Sequence, residues 1–183
     1  MRKLSFEEII KTRPDLSEIE RQERFPIYVV AENIRSLYNV GAIFRTSDAA
    51  RIQKLFLCGF TGTPPRNEIS KTALGAEHSV PWEYRKSAVE IIQQLKSQKV
   101  HIVVLEHTDC SSLYYQTQFT FPLCLIIGNE VEGISDSVVA MADQAIQIPM
   151  YGIKQSLNVA VAYGVAVYEI LRQYLQQREF NKY

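Results

Sequence analysis

Four runs of this chain are apolar almost without interruption: IYVVA at 27–31, KLFLC at 54–58, VHIVVL at 100–105 and PLCLII at 122–127. A strand with one face in water alternates apolar and polar residues. A run without alternation has to be covered on both faces, as in a parallel sheet lying between two layers of helices. Between the runs the pattern turns helical. At 33–50, Val40, Ile43, Phe44, Ser47 and Ala50 share one helical face, and at 87–97 Ser87 caps a helix with Val89, Ile92 and Leu95 on one side. Strands alternating with helices predict an α/β fold with a mostly parallel sheet flanked by helices. With 183 residues, 46% of them hydrophobic, the chain suffices for one full core.

The remaining elements follow from local signals. Ser5-Phe6-Glu7-Glu8 fits a capping box opening a short helix, and Pro14-Asp15 starts another that runs to about residue 23. The stretch 59–66 holds Thr-Gly-Thr-Pro-Pro and reads as a loop. A helix at 67–74 is expected to stop at Gly75. A short strand at 81–85, a helix at 134–142, a strand at 144–148 and a long helix at 156–177 complete the prediction. Residues 1–24 read as a short helical appendage and 25–183 as the main domain. No repeat or low-complexity tract interrupts them.

Composition excludes several classes. No segment approaches the ~20 apolar residues of a membrane span, and MRKLSFEEIIKTR has no secretory apolar core. Three cysteines, Cys58, Cys110 and Cys124, form no paired motif. They are expected to be small core residues in a cytoplasmic protein without a structural metal. The histidines His78, His101 and His107 have no ligand spacing, so no metal is expected. Net charge is zero, which argues against a non-specific coat on DNA. The charge is nevertheless uneven. Residues 33–86 carry eight Lys/Arg against four Asp/Glu, whereas 101–153 carry six acids and no Lys or Arg. One half is therefore suited to an anion.

Three segments carry more polar chemistry than packing requires. In NIRSLYNVGAIFRTSDAARI, 33–52, Asn39 lies near unpaired helix-start amides and can cap them. Gly41 costs roughly 1 kcal/mol against Ala and is read as open space one turn before Arg45. A helix start, an asparagine and a guanidinium suit a phosphate. The plain alternative is a cap and a surface Arg45–Asp48 pair. In IGNEVEGI, 127–134, a buried strand turns into a helix through glycines that admit a close ligand. The site lies where open α/β sheets bind ligands. Its two acids suit a positive centre or neutral backbone contacts better than a phosphate. In IPMYGIKQSLNVAVA, 148–162, a strand leaves through a Pro/Gly loop and enters a helix at Ser156. That helix is apolar around its circumference, so it is expected to be covered on more than one side, the second side by a second subunit, with a core helix fully buried within a monomer as the plain alternative.

Taken together, N-x-R-x3-N-x-G-x3-R, IIGNEVEGIS and IPMYGIKQSLNVAVA resemble the three motifs of the SpoU (TrmH-like) class of SPOUT RNA methyltransferases, over about residues 27–172. The resemblance implies an α/β fold with a deep C-terminal trefoil knot, one of the exceptions to unknotted topology. It implies S-adenosylmethionine held largely by backbone groups at Leu105, Glu106, Gly128, Ile148, Met150 and Leu157. It implies a homodimer through the last helix and methyl transfer to a ribose 2′-hydroxyl in tRNA or rRNA. Arg45, Asn39, Glu130, Ser156 and Asn158 match the functional positions. The family assigns Arg45 a part in removing the hydroxyl proton, although anchoring a phosphate suits an ever-protonated guanidinium better. Arg35, Arg66, Lys71 and Thr72 are candidate RNA contacts on the basic half, with a solvated surface as the plain alternative. Tyr38 and Tyr151, beside motif residues, are the tyrosines worth testing as base partners.

Relatives often add an RNA-binding domain or basic extension. This chain has a charge-balanced 1–24 instead, which favours small tRNA over rRNA, gripped by the protein's own surface. Two other classes compete: a non-catalytic RNA-binding or assembly factor, which would transfer no methyl group, and a different nucleotide-binding α/β module. The acidic GNEVEG turn and the lack of a phosphate loop argue against the latter.

Overall fold

A computed structural model describes residues 1–180. In chain order the elements are α1 (Phe6–Ile10), α2 (Leu16–Arg21), β1 (Phe25–Glu32), α3 (Leu37–Ala49), β2 (Ile52–Cys58), α4 (Asn67–Ala73), α5 (Ala76–Ser79), β3 (Trp82–Arg85), α6 (Ala88–Ser97), β4 (His101–Leu105), β5 (Ser112–Leu113), β6 (Leu123–Ile127), α7 (Asp136–Val139), β7 (Gln144–Gln147) and α8 (Val159–Phe180). The strands form one sheet in the order β3-β2-β1-β6-β4-β7-β5, every pairing parallel.

The unbroken apolar runs are explained by burial on both faces. Val29, Ala31, Leu55, Leu57, Val103, Leu123 and Leu125 point to one side, where Val40, Ile43 and Phe44 of α3 and Tyr163, Ala166 and Ile170 of α8 cover them. Their alternates Val30, Phe56, Ile102, Val104, Cys124 and Ile126 point to the other, under Ile91, Ile92 and Leu95 of α6 and Val138 of α7. The result is three layers. β1 and β6 lie side by side in register, Ala31 opposite Ile127, so motif residues about 95 positions apart leave the sheet next to each other.

Several expected boundaries shift. α4 ends one residue earlier than expected, at its cap Leu74, which is left-handed, and Gly75, left-handed as well, opens α5. The helix expected at 134–142 is a single turn, Asp136–Val139. The last helix starts at Val159, not Ser156: Asn158 Oδ1 accepts from Ala160 N (3.0 Å) and Val161 N (3.4 Å), so Asn158 caps it and Ser156 stays in the loop. β5, two residues long, gave no signal.

Gly41 requires a correction. It faces α4, not solvent: a Cβ there would collide with Thr72 Oγ1 and the Ile69 carbonyl. The missing side chain lets α3 and α4 touch, and it does not open the Arg45 face. Thr72 closes the same contact, its hydroxyl donating to Tyr38 O at 2.9 Å. That hydroxyl belongs to helix packing instead of facing outward for RNA. The α1 helix carries the expected capping box but buries no residue.

Candidate active site

A cavity of about 220 Å³ opens beyond the C-terminal ends of β4, β6 and β7. Its wall is built from three loops. Leu105, Glu106 and His107 follow β4; Ile127 to Gly133 follow β6; Gln147, Ile148 and Met150 follow β7; Ser156, Leu157, Val159 and Ala162 close the side. All six residues expected to hold the cofactor, Leu105, Glu106, Gly128, Ile148, Met150 and Leu157, line it, and so do Glu130 and Ser156.

The β6–α7 loop is pinned at nearly every residue. Asn129 donates through Nδ2 to Asn33 O (2.8 Å), and its Oδ1 accepts from Val131 N and Glu132 N. Glu106 accepts from Ile134 N at 3.0 Å. Glu32, buried at the end of β1, accepts from Ser135 N (3.0 Å) and Ser135 Oγ (2.8 Å). Glycine is required at 128, where a Cβ would strike the backbone of Gly133 and Ile134. Gly133 has φ +72 and lies against the Glu106 carboxylate. Side chains that turn backbone amides inward over a loop of this length make a rigid wall.

Glu130 joins this wall to the opening helix. Its carboxylate accepts from Arg35 N (2.9 Å), Ser36 N (3.1 Å) and Asn39 Nδ2 (2.7 Å). Asn39 Oδ1 in turn accepts from Asn158 Nδ2 at 3.0 Å. Burial alone would raise the Glu130 carboxyl, but the donors from Arg35, Asn39 and Ser36 outweigh it and hold it below its ordinary value. Asn39 is therefore not the helix cap. Ser36 takes that place, its Oγ accepting from Asn39 N, which frees the Asn39 side chain for the Glu130–Asn158 chain.

Arg45 is exposed, does not line the cavity, and makes no side-chain hydrogen bond or ion pair among the described residues. The surface pair with Asp48 does not form; Asp48 accepts from Ser79 Oγ instead. Arg35, Arg66 and Lys71 are exposed on the same half. Glu32, Asn33 and Asn129 had no assigned role in the sequence, although Asn33 opens the first motif. Asn129 sat inside a motif, and a carboxylate ending an apolar strand was the available sign for Glu32. His107 Nδ1 lies 2.9 Å from Gln147 Oε1 at the cavity rim.

The cavity's chemistry is one-sided: apolar walls, three carboxylates at Glu106, Glu130 and Glu132, and no lysine or arginine. Such a lining fits a ligand with an apolar body and a positive centre. Fold and site together define an α/β protein with a ligand-sized cavity at the C-terminal edge of a parallel sheet, beside the helix that carries Arg45. Comparison with known proteins makes the class specific. The family model for the SpoU rRNA Methylase family matches residues 26–168. The tRNA (guanosine(18)-2′-O)-methyltransferase of Aquifex aeolicus is 32% identical over 161 residues, 86% of this chain and 74% of that protein. The 23S rRNA (guanosine-2′-O-)-methyltransferase RlmB of Haemophilus influenzae is 33% identical over 161 residues, 88% of this chain and 65% of that protein. Among solved structures, the A. aeolicus TrmH/SpoU tRNA modifying enzyme matches with a TM-score of 0.80 at 31% identity, covering 91% of this chain and 84% of that one. The SpoU methyltransferase AviRb from Streptomyces viridochromogenes, in complex with the cofactor AdoMet, matches with a TM-score of 0.73 at 28% identity, covering 88% and 65%. The chain belongs to the SpoU methylase family.

Proposed function

We propose that the protein transfers a methyl group from S-adenosylmethionine to a ribose 2′-hydroxyl of RNA, with tRNA favoured over rRNA. The observation that carries this is the convergence of all six expected cofactor positions on one acid-lined cavity whose rim residue, Glu130, also holds the first turn of α3. When bound, the cofactor supplies a methyl group on a positively charged sulfur. The protein's residues do the rest. A sugar hydroxyl is a weak nucleophile, so positioning and charge stabilisation carry most of the acceleration. The exposed, unpaired Arg45 anchors the phosphate beside the target ribose and stabilises charge developing on its oxygen. Asn39, held between Glu130 and Asn158, fixes the start of α3, the helix from which Arg45 projects. Ser156, in the loop at the rim, offers a hydroxyl to the sugar.

The reading includes a homodimer, residues 1–24 as an appendage to a methyltransferase domain at 25–183, a cytoplasmic location and a knotted C-terminal third. Val161, Tyr168 and Leu175 lie seven residues apart on α8 and are exposed, an apolar line that supports a second subunit there. The placement of β6 between β1 and β4, with α8 returning to pack on α3 and β6, supports the knot.

Calorimetry with S-adenosylmethionine, followed by methyl transfer to bulk tRNA and rRNA and mapping of 2′-O-methyl sites with and without the gene, tests the proposal. Arg45→Ala is expected to lower kcat about 100-fold or more while cofactor affinity stays unchanged. Absence of cofactor binding, or an unchanged methylation map, refutes it.

A further inference from the structure

The basic half of the molecule has more cations than its own carboxylates can use. Of the four acids at 33–86, Asp48 is bonded to Ser79, Glu77 is buried, and Glu83 is taken by Lys54 and Arg85. That leaves Glu68 against five exposed cations of the same segment, Arg35, Arg45, Arg66, Lys71 and Lys86, none of which pairs with a carboxylate among the described residues. Three exposed aromatic rings lie at or just beyond the C-terminal ends of the neighbouring strands β1, β2 and β3: Tyr38 is 52%, Phe60 61% and Tyr84 47% exposed.

These rings are held out on fixed backbone. Gly59 has φ +66, a conformation that favours glycine, and a Cβ there would collide with Asn33 Oδ1. The same Asn33 Oδ1 accepts from Phe60 N at 3.2 Å. The Tyr84 hydroxyl donates to Gly59 O at 3.0 Å, which ties the tip of that side chain to the residue before Phe60. Tyr38, in the first turn of α3, is tied to α4 through its carbonyl, which accepts from the Thr72 hydroxyl. Thr61, next to Phe60, closes the loop onto the sheet by donating to Ala31 O (3.0 Å) and accepting from Ile34 N (2.9 Å). Backbone fixed this way, and a Tyr84 ring tied at its tip, lose little freedom on binding. The surface is also joined to the cavity, because Glu130 holds both Arg35 N and Ser36 N.

We infer that this surface is a docking platform for unpaired RNA nucleotides flanking the methylated one. Phe60, with Tyr38 and Tyr84, stacks on bases, while Arg35, Arg66, Lys71 and Lys86 meet the phosphates. Exposed aromatics among unpaired cations are the chemistry of single-strand recognition, because every base has a face to stack and every linkage a charge. A duplex keeps its bases stacked on each other and gains only from the cations. The inference rests on the RNA reading above and narrows it to substrates whose target lies in a loop.

The test uses fluorescence anisotropy of the full chain with a fluorescein-labelled 12-nucleotide single-stranded RNA and with the same strand annealed to its complement. Phe60→Ala is expected to weaken single-strand binding about five-fold or more, with duplex binding nearly unchanged and Phe60→Trp restoring affinity. Arg66→Gln with Lys71→Gln should flatten the salt dependence of single-strand binding by about 1.4 in log–log slope. Thermal unfolding of each variant confirms that the fold is kept. Wild-type affinity in both Phe60→Ala and Tyr84→Ala overturns the platform, and so does a wild-type protein that ignores the strand. A fall to monomer in sedimentation on Phe60→Ala also overturns it, since the surface would then belong to a second copy of the chain. The enzymatic reading fails separately. A protein that binds the strand through Phe60 but methylates no RNA keeps the platform and loses the enzyme; one that methylates tRNA with Phe60→Ala at unchanged RNA KM does the reverse.

Discussion

At the scale of single residues, burial decides which groups can react. Cys58 and Cys124 are buried and Cys110 is exposed, so the expectation of three core cysteines fails at Cys110. Burial, with the Glu32 carboxylate adding to it, pushes the Cys58 thiol up to about 12, and burial also raises Cys124. A disulfide reagent at neutral pH should therefore titrate one thiol in the native protein and all three only in denaturant. A Cys110→Ser variant with no native thiol signal would confirm the assignment. Glu130 has a different pH signature. Its folded-state carboxyl lies below the ordinary value, so the unfolded chain takes up the proton first. The stability this carboxylate contributes is complete above the ordinary glutamate range and is lost as pH falls through the depressed value. In denaturant titrations, the advantage of wild type over Glu130→Gln should be constant between about pH 6 and 8 and shrink below about pH 4.3.

At the scale of elements, the strands were legible because burial on two faces leaves a direct trace, an apolar run with no polar alternates. The proposed catalytic positions were legible only as a set, through the spacing of three motifs. Residues whose partners lie far along the chain were not. Glu32 meets Ser135 across 103 positions and Asn39 meets Asn158 across 119, and no local pattern encodes such pairs. Gly41 misled for the same reason. A glycine in a helix signals a close approach but not what approaches, and here it is α4. Gly41→Leu should accordingly destabilise the fold by about 1–3 kcal/mol through overpacking, read as a lower denaturation midpoint. Any loss of turnover should track the unfolded fraction. A stable but inactive Gly41→Leu would restore the view that the glycine serves the Arg45 face.

At the scale of the whole molecule, α8 has two different sides. Tyr163, Ala166, Val167 and Ile170 are buried against the sheet and α3, and Tyr163 reaches Ser47 with a 2.8 Å hydrogen bond inside that contact. The opposite line of Val161, Tyr168 and Leu175 is exposed, and it is the face proposed to meet a second subunit. Lysines at Val161 and Tyr168 should convert a dimer to a monomer in sedimentation while leaving the far-ultraviolet circular dichroism unchanged. A wild-type monomer throughout the micromolar range would remove the dimer from the reading. The Glu130 contact has a further meaning at this scale. One carboxylate, carried on a loop that walls the cavity, accepts its hydrogen bonds from the start and first turn of the helix beside which RNA is proposed to dock. A ligand that shifts one must work against the other. Linkage then makes the influence mutual: whatever factor the methyl donor applies to RNA affinity, RNA returns to the donor, so the two sites form one thermodynamic unit.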